Sequence, residues 1–246
     1  MMKKNIACFL SFFLLFFIFT AASDASTDNK GRQYYEESGL ILWDIKTKKK
    51  VIALTFDDGP HRKYTPQVLD LLEKYEARAT FFIIGENVLK NPEVVSRMYL
   101  EGHELANHTF THPTRITIPD LQKEIKRTND LISSITGFNP NLFRPVEGHY
   151  TDEMVEQIGN DGFKVVMWSW HQDTEDWREP GVDHIVNRVL KGTKPGDVVL
   201  FHDGGGNRKQ TVAALEKILI ELQRQEYEFV TISELLAIQE AENGNQ

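Results

Sequence analysis

Two histidines and two adjacent aspartates are the residues whose types and spacing most readily support chemistry. His108 and His112 lie four positions apart, so a helical turn would bring both rings to one side of the chain. Two imidazoles and one carboxylate form a three-ligand zinc site that leaves a fourth position for water. Asp57 or Asp58 can supply the carboxylate. Two adjacent carboxylates repel each other unless a cation or a base partner gives them separate roles, which also favours a bound cation here. The pattern therefore predicts a divalent metal site, with zinc as the expected ion.

A third histidine and an arginine are candidates for proton transfer and positioning. His202 follows an apolar run, where a histidine is more often packed than catalytic. An acidic partner, either Asp173 or Asp176, would raise its pKa and keep it a proton donor near neutral pH. Arg144 follows a short apolar run, and its guanidinium could hold a carboxylate through two hydrogen bonds.

Three tryptophans lie close to these groups in the sequence. Trp168, Trp170 and Trp177 could all belong to the core, or one of them could line a pocket. In a pocket, the aromatic ring would stack on a sugar ring or cover an apolar group.

Alternating strands and helices must position these groups. Apolar runs separated by amphipathic stretches recur about seven times, which is typical of a parallel sheet covered by helices. The candidate polar residues follow the ends of these runs, and functional groups of α/β barrels gather at the carboxyl ends of the strands. We therefore expect an enzyme built as a closed or nearly closed α/β barrel, with an open doubly wound sheet as the alternative. The apolar runs are Val51–Phe56, Ala79–Ile84, His103–Asn107, Leu142–Phe143, Lys164–Trp168, Val198–Phe201 and Glu228–Ile232.

The first 25 residues have the pattern of a targeting segment. Lys3 and Lys4 precede an apolar stretch that runs from Ile6 to Ala22, and small residues follow it. This pattern predicts a secretory signal peptide, with an uncleaved membrane anchor as the alternative. We expect a protein that is secreted or associated with the cell wall, or anchored at the membrane if the leader remains. The single cysteine, Cys8, lies inside this stretch, which excludes an intramolecular disulfide framework.

The rest of the chain reads as one catalytic domain with short extensions. We expect a lead-in over residues 26–50, flexible in its polar first half and with a short outer strand in its second. Residues 51–236 form the domain, and residues 237–246 form a polar tail that is frayed from Gln239. The formal net charge of −8 gives no basic face for nucleic acid. We expect a monomer that does not bind nucleic acid.

Four stretches follow one another along the chain: Thr55-Phe56-Asp57-Asp58-Gly59-Pro60, His108-Thr109-Phe110-Thr111-His112, Asp173-Thr174-Glu175-Asp176-Trp177 and Leu200-Phe201-His202. These stretches resemble the motifs of the NodB-type polysaccharide deacetylases, carbohydrate esterase family 4, and the resemblance covers about residues 51–236. It implies a distorted (β/α)7-type barrel and removal of acetyl groups from N-acetylglucosamine units of chitin, chitooligosaccharides or peptidoglycan. In some members of the family the substrate is O-acetylated xylan.

The resemblance also implies a role for each matched residue. Asp57 would be the general base, held by Arg144, and His202 would be the general acid, tuned by Asp176. The metal ligands would be Asp58, His108 and His112.

A further motif, which lies between the second and third of these stretches, departs from the family pattern. The family commonly has Arg-Pro-Pro-Tyr-Gly where this chain has Arg144-Pro145-Val146-Glu147-Gly148. The backbone N–H of Glu147 could still stabilise an oxyanion, but a carboxylate replaces an aromatic wall. We expect Glu147, Trp177 and Asp173 to contact the glycan. Two alternatives stay open: an esterase acting on O-acetylated sugars, and a glycan-binding member with weakened catalysis.

Overall fold

A single curled sheet of eight parallel strands forms the centre of the molecule. The structure, a computed structural model, describes residues 30–244. None of the helices in this range is long and apolar enough to cross a membrane. The strands are β1 (Ile41–Leu42), β2 (Val51–Asp57), β3 (Ala79–Ile83), β4 (Glu104–Asn107), β5 (Leu142–Phe143), β6 (Lys164–Val166), β7 (Val198–His202) and β8 (Glu228–Phe229).

The strand order identifies the sheet as a distorted barrel. Strands β2 to β6 are neighbours in sequence order, β7 returns to pair with β2, and β8 pairs with the first residues of β2. The segment after β6 is hydrogen-bonded to β7. The Ser169 N–H donates to the Val198 carbonyl over 2.9 Å, and Asp173 forms a β-bridge with Leu200. The predicted barrel-type fold is therefore confirmed, and the alternative of an open doubly wound sheet is wrong.

Nine helices occur in the described part of the chain. Thr117 and Thr151 cap the starts of α5 and α6 with their side chains, as their positions before amphipathic stretches favour. The helices are α1 (Arg32–Ser38), α2 (Tyr64–Lys74), α3 (Gly85–Lys90), α4 (Pro92–Leu100), α5 (Ile118–Thr136), α6 (Asp152–Asn160), α7 (Val182–Leu190), α8 (Lys209–Arg224) and α9 (Ile232–Asn243).

From Lys30 onwards, the lead-in is part of the folded domain. Its polar first half was expected to be flexible, but it forms α1, whose Tyr35 side chain is fully buried. Tyr35 also donates a hydrogen bond to Asp152 at the start of α6. The expected outer strand is β1, which pairs with β6 in the register Ile41–Val165 and Leu42–Val166. The flexible assignment is wrong because tertiary burial of one aromatic residue orders an otherwise polar segment.

The end of the chain also differs from expectation. The last apolar run contains only the two-residue strand β8, and α9 begins at Ile232 and continues to Asn243. A capping box between Thr231 and Glu234 starts this helix. The tail expected to be frayed from Gln239 is therefore helical over its first residues.

Side chains of β2 alternate between two environments. Phe56 points towards the helices, where its ring stacks between Phe81 and Phe201 at centroid distances of 5.1 and 5.5 Å. Successive strand residues point to opposite faces, so Thr55 and Asp57 point into the barrel. Burial of the phenylalanines thus fixes the register that brings Asp57 to the barrel mouth.

Candidate active site

The site lies at the carboxyl ends of four strands. Asp57 is the last residue of β2 and lies opposite His202 of β7 in the strand register. His108 follows β4, and Arg144 follows β5. The parallel sheet therefore brings together residues that are up to 145 positions apart in the sequence.

Asp58, His108 and His112 form a cluster that can hold one metal ion. Their ligand atoms all lie within 4.8 Å of one another. The Oδ1 atom of Asp58 is 3.1 Å from Nε2 of His112 and 3.7 Å from Nε2 of His108. One carboxylate oxygen and two imidazole nitrogens are a donor set that suits zinc and related divalent ions.

Neighbouring groups orient these three ligands. Nδ1 of His108 donates to the Arg144 carbonyl over 2.7 Å, which turns the lone pair of Nε2 towards Asp58. Asn87 donates to the backbone carbonyl of Asp58 over 2.9 Å. Asp58 and His112 both have left-handed backbones, with φ of 70° and 58°. Such strain in non-glycine residues is often found where a site is pre-organised.

The protonation states of His108 and Asp58 favour metal binding, whereas the hydrogen bond and charge of Asp58 raise the pKa of His112, so a metal ion competes with a proton there. Burial lowers the pKa of His108, which keeps its imidazole neutral, as a ligand must be. Burial opposes ionisation of Asp58, but its hydrogen bond with His112 and the charge of nearby imidazoles hold its pKa below the usual range. Its carboxylate is therefore ionised at neutral pH.

Arg144 fixes the second aspartate, Asp57, beside this cluster. Its guanidinium is fully buried, and Nη1 donates to Oδ1 of Asp57 over 2.7 Å. The other donors bind Thr55 Oγ1 and the carbonyls of Val166 and Met167, over 2.6 to 2.9 Å. The second oxygen of Asp57 stays free of Arg144 and lies 3.9 Å from Nε2 of His108. This oxygen therefore faces the cluster of candidate metal ligands.

His202 is paired with Asp176. Nδ1 of His202 lies 2.7 Å from Oδ1 of Asp176, and the backbone N–H of His202 donates to Oδ2 over 2.9 Å. Burial opposes protonation of His202, but the hydrogen bond and charge of Asp176, with the charges of Asp57 and Asp58, raise its pKa to about 9. His202 is thus a protonated donor at neutral pH, with Asp176 as its partner.

The turn after Arg144 brings Glu147 to the edge of the site. Residues Val146–Gly148 form a 3-10 turn in which Glu147 has a φ of 54°. Within residues 30–244, the backbone N–H of Glu147 has no hydrogen-bond acceptor. This N–H can therefore be donated to a substrate.

The remaining predicted residues have different positions. The Asp173 carboxylate accepts the backbone N–H of Glu175 within its own turn, and it is not one of the clustered ligands Asp58, His108 and His112. Trp177 follows Asp176 and is half exposed under the Arg178 guanidinium. Trp168 packs below the site, 5.8 Å from the Arg144 guanidinium, whereas Trp170 is 81% exposed.

Several positioning residues were missed from the sequence. Thr55 supports Arg144, Asn87 supports Asp58, and the Thr211 hydroxyl donates to Asp176 over 2.7 Å. Thr55 was detectable, because it shares a face of β2 with Asp57. Asn87 and Thr211 lie on helices, and nothing local to them indicates the site.

Comparison with known proteins identifies related sequences and structures. The profile of the polysaccharide deacetylase family matches residues 44–166. A peptidoglycan-N-acetylglucosamine deacetylase of Bacillus cereus is 49% identical over 210 residues, covering 83% of this chain and 97% of that protein.

Two crystal structures share the fold. The Bc1960 peptidoglycan N-acetylglucosamine deacetylase, solved with a bound N-hydroxybenzamide derivative, has a TM-score of 0.80 and 33% identity over 83% of this chain and 96% of its own. BA3943 of Bacillus anthracis, a pseudoenzyme of carbohydrate esterase family 4, has a TM-score of 0.73 and 29% identity. It covers 80% of this chain and 68% of its own.

Proposed function

Because the chain belongs to the polysaccharide deacetylase family, whose members hydrolyse N-acetyl amide bonds on glycans, we propose that it deacetylates N-acetylglucosamine units of bacterial cell-wall glycan. One observation carries the proposal: a three-ligand cluster lies between a carboxylate held by an arginine and a histidine held by an aspartate. This arrangement supplies a base and an acid on the two sides of one reaction centre.

The ligand cluster indicates the cofactor. Asp58, His108 and His112 would hold a divalent ion, with zinc as the proposed metal. When bound, such an ion lowers the pKa of a coordinated water and polarises an acyl oxygen.

Asp57 is the proposed base. Its free oxygen faces the cluster and accepts the proton of the attacking water, while Arg144 keeps the carboxylate ionised and fixed in position. The Thr55 hydroxyl and two backbone carbonyls hold Arg144 in turn, so Asp57 cannot rotate away.

His202 is the proposed acid, and Glu147 provides the oxyanion donor. As the amide carbon–nitrogen bond breaks, Nε2 of His202 gives its proton to the departing amine, and Nδ1 stays hydrogen-bonded to Asp176. The backbone N–H of Glu147 donates to the oxygen that becomes negatively charged. The products are acetate and a glycan with a free amine.

The leading substrate is N-acetylglucosamine in peptidoglycan, as in the relative from Bacillus cereus. Chitooligosaccharides carry the same acetamide group and are the second choice. Acetylated xylan carries an acetyl ester instead of the acetamide group, and the proposed base and metal ligands could also support hydrolysis of that ester. The chain is proposed to act outside the cell, although the leader over residues 1–25 lies outside the described residues.

A second candidate function is glycan binding with weakened catalysis. The carboxylate of Glu147 at the edge of the site and the likeness to a family pseudoenzyme favour it. Against it stand the ligand cluster and the two charge pairs that the active mechanism needs, all of which are present.

Acetate release tests the proposal. We expect the zinc-loaded protein to release acetate from peptidoglycan or chitooligosaccharides, to lose this activity with a chelator, and to regain it with zinc. Asp57→Asn should lower kcat at least about a hundredfold, because it removes the base. Asp130→Asn, an exposed change of the same kind on α5, should have no effect.

Metal content provides an independent readout. His112→Ala should lower the bound zinc, whereas His184→Ala, an exposed histidine on α7, should not. A protein that binds these glycans without turnover, and whose binding is unchanged by His202→Ala, would support the second candidate instead.

A further inference from the structure

Glu147 places a fixed negative charge at the edge of the active site. The turn that carries it is held on one side by Val146, which is buried, and on the other by Gly148. Gly148 has a φ of 69°, and a Cβ atom there would lie 2.8 Å from the ring of Trp168. Because the turn packs this closely against Trp168, the position of Glu147 is set by the backbone.

The carboxylate of Glu147 has only a weak partner within the described residues. Its Oε2 lies 3.5 Å from Nδ1 of His149, and these side chains are 55% and 74% exposed. Exposed pairs with this geometry contribute little, so the charge stays available to a ligand. The turn that carries Glu147 begins just after Arg144, whose carbonyl accepts a hydrogen bond from His108 over 2.7 Å, so the turn borders the ligand cluster.

A cavity next to this turn can hold the neighbouring sugar unit. Its volume is about 250 Å³, and it lies between the loop after β4 and the loop after β5. Pro113, Phe143 and Met154 line its apolar part, and His149 and Arg115 line its polar part. Pro145 and Val146 also line this cavity, and Glu147 follows them in the same turn, so a sugar bound in the cavity would lie next to the Glu147 turn.

A carboxylate at this place discriminates between the two states of an amino sugar. A free amine is an ammonium below its own pKa and is then attracted to the carboxylate, whereas an acetamide is neutral and larger. We propose that Glu147 is a specificity-determining residue that recognises a primary ammonium group next to the unit being deacetylated. This inference depends on the deacetylase function proposed above. The ammonium can belong to a glucosamine unit, which the reaction itself produces, or to the stem peptide of peptidoglycan.

Paired substrates test the inference. One pair is a chitotetraose with all units acetylated and the same tetramer with one free amine beside an acetylated unit. The other pair is a peptidoglycan fragment whose stem-peptide amine is free or carbamoylated. For the zinc-loaded protein we expect kcat/KM to be about three- to fivefold higher for the ammonium form of at least one pair, since an exposed ion pair is worth up to about 1 kcal/mol.

Variants identify the group responsible. Glu147→Gln should bring this ratio close to one, and Glu147→Lys should bring it below one. Glu228→Gln removes the same charge at the opposite end of the barrel, at the start of β8, and should keep the ratio. Arg115→Gln removes the opposite charge from the cavity and should not lower the ratio.

The outcomes separate the two proposals. If Glu147→Gln abolishes the kcat/KM preference within the chitotetraose pair, the ammonium group belongs to glucosamine. If it abolishes the preference within the stem-peptide pair, the ammonium group belongs to the peptide. A ratio that is equal in wild type and Glu147→Gln for both pairs overturns the inference while the deacetylase stands. A wild-type protein that releases no acetate from any of the four substrates overturns the deacetylase function, and the inference with it.

Discussion

At the scale of single residues, the site depends on charges that are buried and fully partnered. Arg144 has no exposed surface, yet every donor nitrogen of its side chain has an oxygen acceptor. An isolated buried charge is strongly destabilising, so the same contacts that stabilise Arg144 also fix Asp57. The position of Asp57 and the stability of the fold are therefore coupled at Arg144.

The pair of Asp176 and His202 predicts the pH dependence of activity. The raised pKa of His202, about 9, keeps the acid protonated through neutral pH, and activity is lost as the pH rises through that value. Asp176→Asn removes the charge that raises the pKa, so the alkaline limb of kcat/KM should move about one to two pH units lower. A pH–rate profile from pH 6 to 10 with zinc-loaded protein measures this shift.

A matched variant provides the control for this profile. Asp183→Asn changes an exposed aspartate on α7 and should leave the alkaline limb in place. An unchanged limb in Asp176→Asn would show that another group donates the proton.

The types of these residues predicted the chemistry of the site, but they did not show which aspartate has which role. Residue chemistry leaves open whether Asp57 or Asp58 completes the ligand cluster, and whether Asp173 or Asp176 partners His202. In the structure, Asp58 lies with the histidines and Asp176 lies against His202. The choice depends on left-handed turns and on the Arg144 contact across the barrel, neither of which is a local property of the sequence.

At the scale of elements, the strongly periodic helices were predicted, whereas α1, α3 and α9 were not. Helices α2 and α4 to α8 follow amphipathic stretches that the sequence shows clearly. Helix α3 has six residues and begins with a glycine, and α1 has one buried side chain. Such segments have no stable helix of their own, and tertiary contacts order them.

Two adjacent tyrosines test whether α1 belongs to the fold. Tyr35 is fully buried and binds Asp152, whereas Tyr34 is 45% exposed. Tyr35→Ala should lower the free energy of unfolding by about 3 to 5 kcal/mol, as for other large core residues, and Tyr34→Ala by less than about 1 kcal/mol. Urea denaturation followed by circular dichroism measures both. Equal, small losses would mean that α1 only rests on the surface.

At the scale of the whole molecule, the barrel is closed by a segment outside its strand–helix repeats. The backbone N–H of Ile45, just after β1, donates to the Gly196 carbonyl over 2.9 Å, and Gly196 donates to Val51 over 2.8 Å. Gly196 therefore joins the lead-in to both β2 and the turn before β7. The repeat pattern predicted the barrel but could not predict this closure, because the contact joins two loops that are far apart in the sequence.

Two glycines with nearly the same backbone conformation test this closure. Gly196 has a φ of 87° and Gly162 a φ of 86°, so an alanine is strained at either position. At Gly162 a Cβ atom would meet open space, whereas at Gly196 it would lie 1.9 Å from the Ile45 carbonyl oxygen. Gly162→Ala should therefore cost about 1 kcal/mol of unfolding free energy, and Gly196→Ala about 3 kcal/mol or more, because the lead-in must also move away. Urea denaturation of both variants measures the difference, and equal losses would mean that the contact with Ile45 does not hold the barrel closed.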